Sequence, residues 1–215
     1  MFFNSRYFSS NQPSGKIMVT VLIQIMEVLH MTRKKALLVI DYTNDFVATN
    51  GALNCGEPGR AIEDALLQHV KDFDAAGDYI ILPNDYHIKD DPYHPETTIF
   101  PPHNIAGTPG QDLYGKLADW YAAHQEQNNV YKYNKNRYSS FQNTNLDNYL
   151  RSRDIKELYL TGVCTDICVL HTAIAAYNLN YHINVYADSV ASFDPAGHDW
   201  ALGHFKNSLG ANVIE

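Results

Sequence analysis

KELYLTGVCTDICVLHTAIAAYNLN, residues 156–180, decides the fold. Its first part, KELYLTGV, is a short run rich in apolar and strand-forming residues, as expected of a buried strand. Its last part, CVLHTAIAAYNLN, suits a helix, and only the tight turn GVCTDIC separates the two. A strand that passes directly into a helix is the building unit of a parallel sheet.

The same alternation extends in both directions. Upstream, KALLVID (35–41) and DYIILPND (78–85) read as buried strands. Between them, Ile62, Leu66, Leu67, Val70 and Phe73 recur at helical spacing over 58–76, with Gly77 as the stop. Leu113, Leu117 and Trp120 suit a helix, NVYKYN (129–134) a strand and NLDNYLRSR (145–153) a helix. Downstream, HINVYAD (182–188) reads as a strand, HDWALGHFKNSLG (198–210) as a helix and ANVIE (211–215) as a last strand. The fold class expected is α/β, a three-layer α/β/α arrangement around a mostly parallel sheet with right-handed crossovers. Sites in such folds lie at the carboxyl ends of the strands. That rule singles out Asp41, Asp85 and the GVCTDIC turn.

Composition narrows the function classes. The chain has 215 residues, 45% hydrophobic and 19% charged, which suits one globular α/β domain. A formal charge of -8 argues against nucleic acid and against an anionic membrane surface, both of which call for a basic face. No apolar run reaches the ~18 residues of a membrane span. Three cysteines, Cys55, Cys164 and Cys168, form no disulfide framework and point to a reducing, cytoplasmic setting.

The first thirty residues differ from the rest. MFFNSRYFSSNQPSGK is aperiodic, and IMVTVLIQIMEVLH is an apolar stretch broken by Gln24 and Glu27. No small-residue cleavage site follows, which weighs against a signal peptide. In a bacterial source, Met26-Glu27-Val28 can be encoded by a ribosome-binding sequence just ahead of Met31. Residues 1–30 are therefore expected to be a leader, with the domain spanning 31–215; N-terminal sequencing of native protein tests this.

Two groups of residues carry chemistry. Cys168 lies at the start of a helix, with Thr165 or Asp166 as the N-cap expected, where the helix dipole and amide N–H groups lower a thiol pKa. The same amides can stabilise an oxyanion. The alternative for Cys168 is a buried space-filler. Asp41 ends an apolar strand, where a carboxylate needs a partner, and Lys135 closes another strand. Together the three make a nucleophile, a base and a cation that stabilises thiolate. The second group lies in NDYHIKDDPYHPETTIFPPHN (84–104). Asp85 and His87, two apart on an extended segment, point the same way. His103 follows on a Pro-rich loop, with His94 and Glu96 between; His94 is the weaker candidate because it precedes Pro95. Mixed histidine and carboxylate ligands suit zinc, iron or manganese. The alternative is a polar surface loop.

ALLVIDYTNDF, NDYHIKDD…HPET…FPPHN, NKNRYSSF and GVCTDICVLHTA occur in one order across residues 31–215. In these motifs the sequence resembles the nicotinamidase/pyrazinamidase group of the isochorismatase-like cysteine hydrolases. The resemblance implies a catalytic triad of Asp41, Lys135 and Cys168, with Lys135 favoured over Lys132 by its place three residues before Tyr138. It implies a metal site of Asp85, His87 and His103, with Glu96 binding directly or through water, and a divalent metal, zinc before iron or manganese. It implies a cis peptide between Val163 and Cys164, an oxyanion site at the Cys164 and Cys168 amides, and Phe46, Phe100 and Tyr138 around the ring of nicotinamide. A role in NAD salvage and a homo-oligomeric state also follow from the resemblance. The departures are Cys164, where relatives often carry alanine or an apolar residue, and Ser140 in place of a common alanine. Three rivals share the fold: a non-enzymatic metal-binding or scaffold protein, against which Asp41, Lys135 and Cys168 together speak, and two enzymes, the first of a kind that generally lacks this metal site. One is an isochorismatase-like or N-carbamoyl amidase enzyme; the other is a metallohydrolase in which Cys168 is structural.

Overall fold

The computed structural model describes residues 34–215; the leader expected at 1–30 lies outside the described residues. Six strands form one sheet: β1 (Lys35–Ile40), β2 (Tyr79–Asp85), β3 (Val130–Lys135), β4 (Glu157–Val163), β5 (His182–Ala191) and β6 (Asn212–Ile214). Their order is β3-β2-β1-β4-β5-β6, and every pairing is parallel.

Alternation along the central strand builds the two cores. Ala36, Leu38 and Ile40 face one side of the sheet. There they meet α5 (Leu146–Arg151), α6 (Leu170–Asn178) and α7 (Pro195–Ser208) through Leu146, Leu150, Ala173 and Phe205. Leu37 and Val39 face the other side. They meet α1 (Asn44–Val47), α3 (Glu63–Ala75) and α4 (Gly115–His124) through Val47, Leu66, Val70 and Leu117. A strand covered on both faces needs a continuous apolar run rather than strict alternation, which is what KALLVI supplies. Among the described residues no helix is long and apolar enough to cross a membrane.

Local sequence explains the ends. Asp194 caps α7, its carboxylate accepting from the Ala196 N–H at 3.1 Å, with Pro195 in the first turn. Gly77, at φ 65°, closes α3 while the Asp78 N–H donates to the Phe73 carbonyl at 2.9 Å. Gly162 has φ +104°, and a Cβ there would collide with the Ile40 carbonyl, so only glycine lets β1 and β4 approach at this point.

Several boundaries differ from the sequence reading. The helix over 58–76 is two helices, α2 (Gly56–Ala61) and α3, divided at Ile62. Leu113 precedes α4 and forms an antiparallel bridge with Thr43, and the helix opens only at Gly115, which is left-handed at φ 52°. Strand β5 runs three residues past Asp188, since the ends of β4 and β5 pair as Gly162 with Val190 and Val163 with Ala191.

Candidate active site and metal centre

The strand order reverses between β1 and β4. From β1 the chain adds β2 and β3 on one side, and from β4 it adds β5 and β6 on the other. A crevice opens beyond the carboxyl ends at such a switch point. Asp41 follows β1 directly, in a left-handed conformation of φ 56°. Cys168 lies on the turn after β4, a π-type turn over Thr165–Val169 in which the Val169 N–H donates to the Cys164 carbonyl at 3.1 Å. Asp85 and Lys135 end β2 and β3 and are register partners. The Val163–Cys164 peptide is cis.

These four strand ends converge. The Lys135 ammonium stands 2.7 Å from Asp41 Oδ2, 3.8 Å from Asp85 Oδ1 and 3.7 Å from Cys168 Sγ. It also donates to the Arg137 carbonyl at 3.1 Å. Asp41 Oδ1 accepts from the Asp85 N–H at 2.8 Å, which ties the first strand end to the second. Asp41 and Lys135 are buried, as is Cys168.

Burial and charge set the protonation states. Burial pushes Asp41 up to about 6 against the Lys135 ammonium beside it, with the Asp85 charge adding to the rise. Burial works against the charge of Lys135, but Asp41, Cys168 and Asp85 more than offset it and hold the ammonium protonated. The Cys168 thiol is pushed up, by burial first and by the Asp41 and Asp85 charges, with Lys135 pulling the other way. This corrects the expectation of a thiol lowered by its helix start: desolvation and the two carboxylates outweigh the Lys135 ammonium. The capping expectation also changes. Neither Thr165 nor Asp166 caps the turn; Thr165 Oγ1 hydrogen-bonds His198 Nδ1 at 2.8 Å, and Asp166 accepts from Ser192 Oγ at 2.6 Å.

Beside the triad lies a second cluster. Asp85, His87, Glu96 and His103 each bring a donor atom within 4.8 Å of the others, all buried. His87 Nε2 is 2.7 Å from Asp85 Oδ2. His103 Nδ1 donates to the Pro101 carbonyl at 2.8 Å, which fixes the tautomer and turns the Nε2 lone pair inward. That Nε2 is buried without an aligned hydrogen bond, 3.4 Å from Asp85 and 3.5 Å from Glu96. Against burial, the two carboxylates push His103 up to about 10, so with no cation Nε2 would be protonated, and a bound cation would take that proton's place. Two carboxylates, two imidazoles and an orphaned inward nitrogen fit a divalent cation.

His94 stands outside this group. Its Nδ1 accepts from the Glu96 N–H at 3.3 Å and its Nε2 donates to the Asn136 carbonyl at 2.8 Å, so both nitrogens are engaged in holding the Glu96 turn. The sequence reading missed Thr43, Asp45 and Asn104. The Asn104 side chain links Thr43 Oγ1, at 2.9 Å, to Asp85 Oδ2, at 3.4 Å, while its backbone N–H donates to Asp45 at 2.7 Å. The signal available was an asparagine directly after His103; it adopts φ 44°, a conformation asparagine tolerates better than most residues.

A small pocket reaches both clusters. Phe46, Phe100 and Tyr138 line it together with Cys164, Cys168 and Glu96.

Comparison with known proteins agrees with this fold. The Isochorismatase domain family matches residues 35–215. The chain belongs to the isochorismatase family. Within the family it is 58% identical over 182 residues to the isochorismatase family protein PncA of Bacillus subtilis, covering 85% of this chain and 100% of the relative. It superposes with a TM-score of 0.83 on the crystal structure of nicotinamidase/pyrazinamidase PncA from Bacillus subtilis, at 55% identity, over 85% of this chain and 100% of that one. The pyrazinamidase of Pyrococcus horikoshii in complex with zinc is similar at a TM-score of 0.74 and 26% identity, over 85% and 99% of the two chains.

Proposed function

We propose that this chain is a nicotinamidase, hydrolysing nicotinamide, and pyrazinamide with it, to the free acid and ammonia. The observation that carries the reading is the convergence of Lys135 on both Asp41, at 2.7 Å, and Cys168, at 3.7 Å, beside a buried four-donor cluster. A nucleophile that lines the cavity thus has an electrostatic partner beside it and, through that partner, a base, both buried behind the cavity wall. The high identity to nicotinamidase/pyrazinamidase relatives sets the substrate class.

Each residue has a stated part. Asp41, as carboxylate, takes the Cys168 proton, and Lys135 stabilises the thiolate that burial disfavours. The thiolate adds to the amide carbon, and the Cys164 and Cys168 amides hold the oxyanion. The C–N bond breaks as Asp41 returns its proton to the leaving ammonia, which leaves a thioester. Water, deprotonated by Asp41, cleaves the C–S bond, releases the carboxylate and restores the thiol. Phe46, Phe100 and Tyr138 orient the ring and exclude water.

Asp85, His87 and His103, with Glu96, would hold a divalent cation, zinc before iron or manganese. Such an ion supplies a Lewis-acid position for the nitrogen of a pyridine or pyrazine ring. The unpaired cysteines support a cytoplasmic setting, and the reaction itself suits NAD salvage.

The test is ammonia release from nicotinamide by metal-loaded protein, with and without thiol alkylation. Release that alkylation stops is expected; release that survives it would remove Cys168 from the mechanism.

A further inference from the structure

Cys164 lines the substrate cavity, and Cys55 is buried beside it without lining the cavity. Cys55 sits just before α2, and its N–H donates to the carbonyl of the cavity residue Phe46 at 2.8 Å. Cys164 follows β4 and opens the turn that carries Cys168. The two residues are 109 positions apart, yet their sulfurs meet at 3.0 Å in the interior. Both are free thiols, and neither has a part in the reaction's proton transfers. Cys55 is 1% exposed, whereas Cys164 lines the cavity beside Cys168. A small oxidant that enters the cavity therefore reaches Cys164 as well as Cys168, and only Cys164 has the Cys55 sulfur in contact with it.

We propose that Cys55 and Cys164 are a modification site for hydroperoxides, closing to a disulfide that reversibly disables the adjacent catalytic turn. In the first step a hydroperoxide transfers oxygen to the Cys164 sulfur, giving a sulfenic acid and water (or an alcohol). The Cys55 sulfur then attacks the sulfenyl sulfur; the S–S bond forms, the S–O bond breaks, and the oxygen leaves as water with the Cys55 proton. The two sulfurs are oxidised and the peroxide is reduced. Closure from 3.0 Å to a bonded separation of about 2.05 Å requires about 1 Å of movement at the mouth of the Cys168 turn. The neighbouring Cys55 sulfur and burial together push the Cys164 thiol up, which leaves little thiolate and slows its reaction with peroxide.

The loss of activity rests on the amidase reading above, whereas the cross-link does not. The experiment treats the full-length, metal-loaded chain with hydrogen peroxide, digests it without reduction and identifies the linked peptides by mass spectrometry. Ammonia release from nicotinamide is followed before treatment, after it, and after addition of a dithiol reductant. We expect a Cys55–Cys164 cross-link, at least tenfold loss of release, and recovery of most of the activity on reduction. Cys55→Ala should be as active as the parent before treatment, form no cross-link, and lose the fraction that reduction restores. Absence of the cross-link, with the two sulfurs free or over-oxidised, overturns the site. A cross-link that leaves activity unchanged overturns its effect on the catalytic turn. Untreated chain with no amidase activity would count against the amidase reading alone, and the mass measurement would still decide the pairing.

Discussion

The Lys135 ammonium and the Asp41 carboxylate stand 2.7 Å apart with neither side chain reached by solvent. A buried pair of this kind is costly to assemble, and removing one partner leaves the other charge stranded. The pair is also anchored to the metal cluster, because Asp41 accepts the Asp85 N–H. Base, cation and donor cluster therefore form one unit.

Asp41→Asn is expected to lower kcat by about 10²–10⁴-fold through loss of the base. It should also destabilise the fold by about 3–5 kcal/mol, since Lys135 keeps its charge without its main partner. Steady-state kinetics and thermal denaturation read the two effects separately. An active and equally stable variant would exclude Asp41 as the base.

His87→Ala is expected to cut metal affinity at least tenfold by removing one of four donors. In chelator-treated parent protein, zinc at ~100 times its Kd should raise stability by about 2.7 kcal/mol. That shift should shrink or vanish in the variant. Metal analysis and melting temperature are the readouts, and an undiminished shift would place the metal elsewhere.

Gly162→Ala tests the seam beneath the site. At φ +104° and against the Ile40 carbonyl, an added Cβ must part β1 from β4. A loss of several kcal/mol is expected, roughly 10 °C in Tm for a domain of this size. Unchanged stability would mean that the strands can separate freely there.

Phe205→Ala separates folding from chemistry. The ring is fully buried under α7 and lies away from the cavity. The substitution should cost about 3–5 kcal/mol, while the surviving folded enzyme keeps its kcat at low temperature. A change in kcat without a change in stability would contradict this division.

Much of this was legible in the sequence because burial on both faces of a strand leaves a simple trace. KALLVI is a nearly continuous apolar run and KELYLTGV a run rich in apolar and strand-forming residues, and each stops where a polar residue or turn enters the crevice. Asp41, Asp85 and Cys168 could therefore be placed at strand ends before the strand order was known. The strand order itself, and the reversal between β1 and β4, depend on contacts across more than a hundred residues that no local pattern encodes. Capping failed at Thr165 and Asp166 because tertiary partners, His198 and Ser192, claim those side chains. The lowered thiol failed for a similar reason: a helix start is visible in sequence, whereas the desolvation that overrides it is set by the packed crevice. The part of Asn104 was hidden because nothing local distinguishes a structural asparagine from a loop residue.

The most direct measurement is a rapid acid quench of metal-loaded enzyme turning over nicotinamide, followed by intact and peptide mass spectrometry. The account predicts a nicotinoyl group on the peptide that contains Cys168, and no adduct and no turnover in metal-loaded Cys168→Ala. A metal-loaded Cys168→Ala variant that releases ammonia from nicotinamide would contradict it.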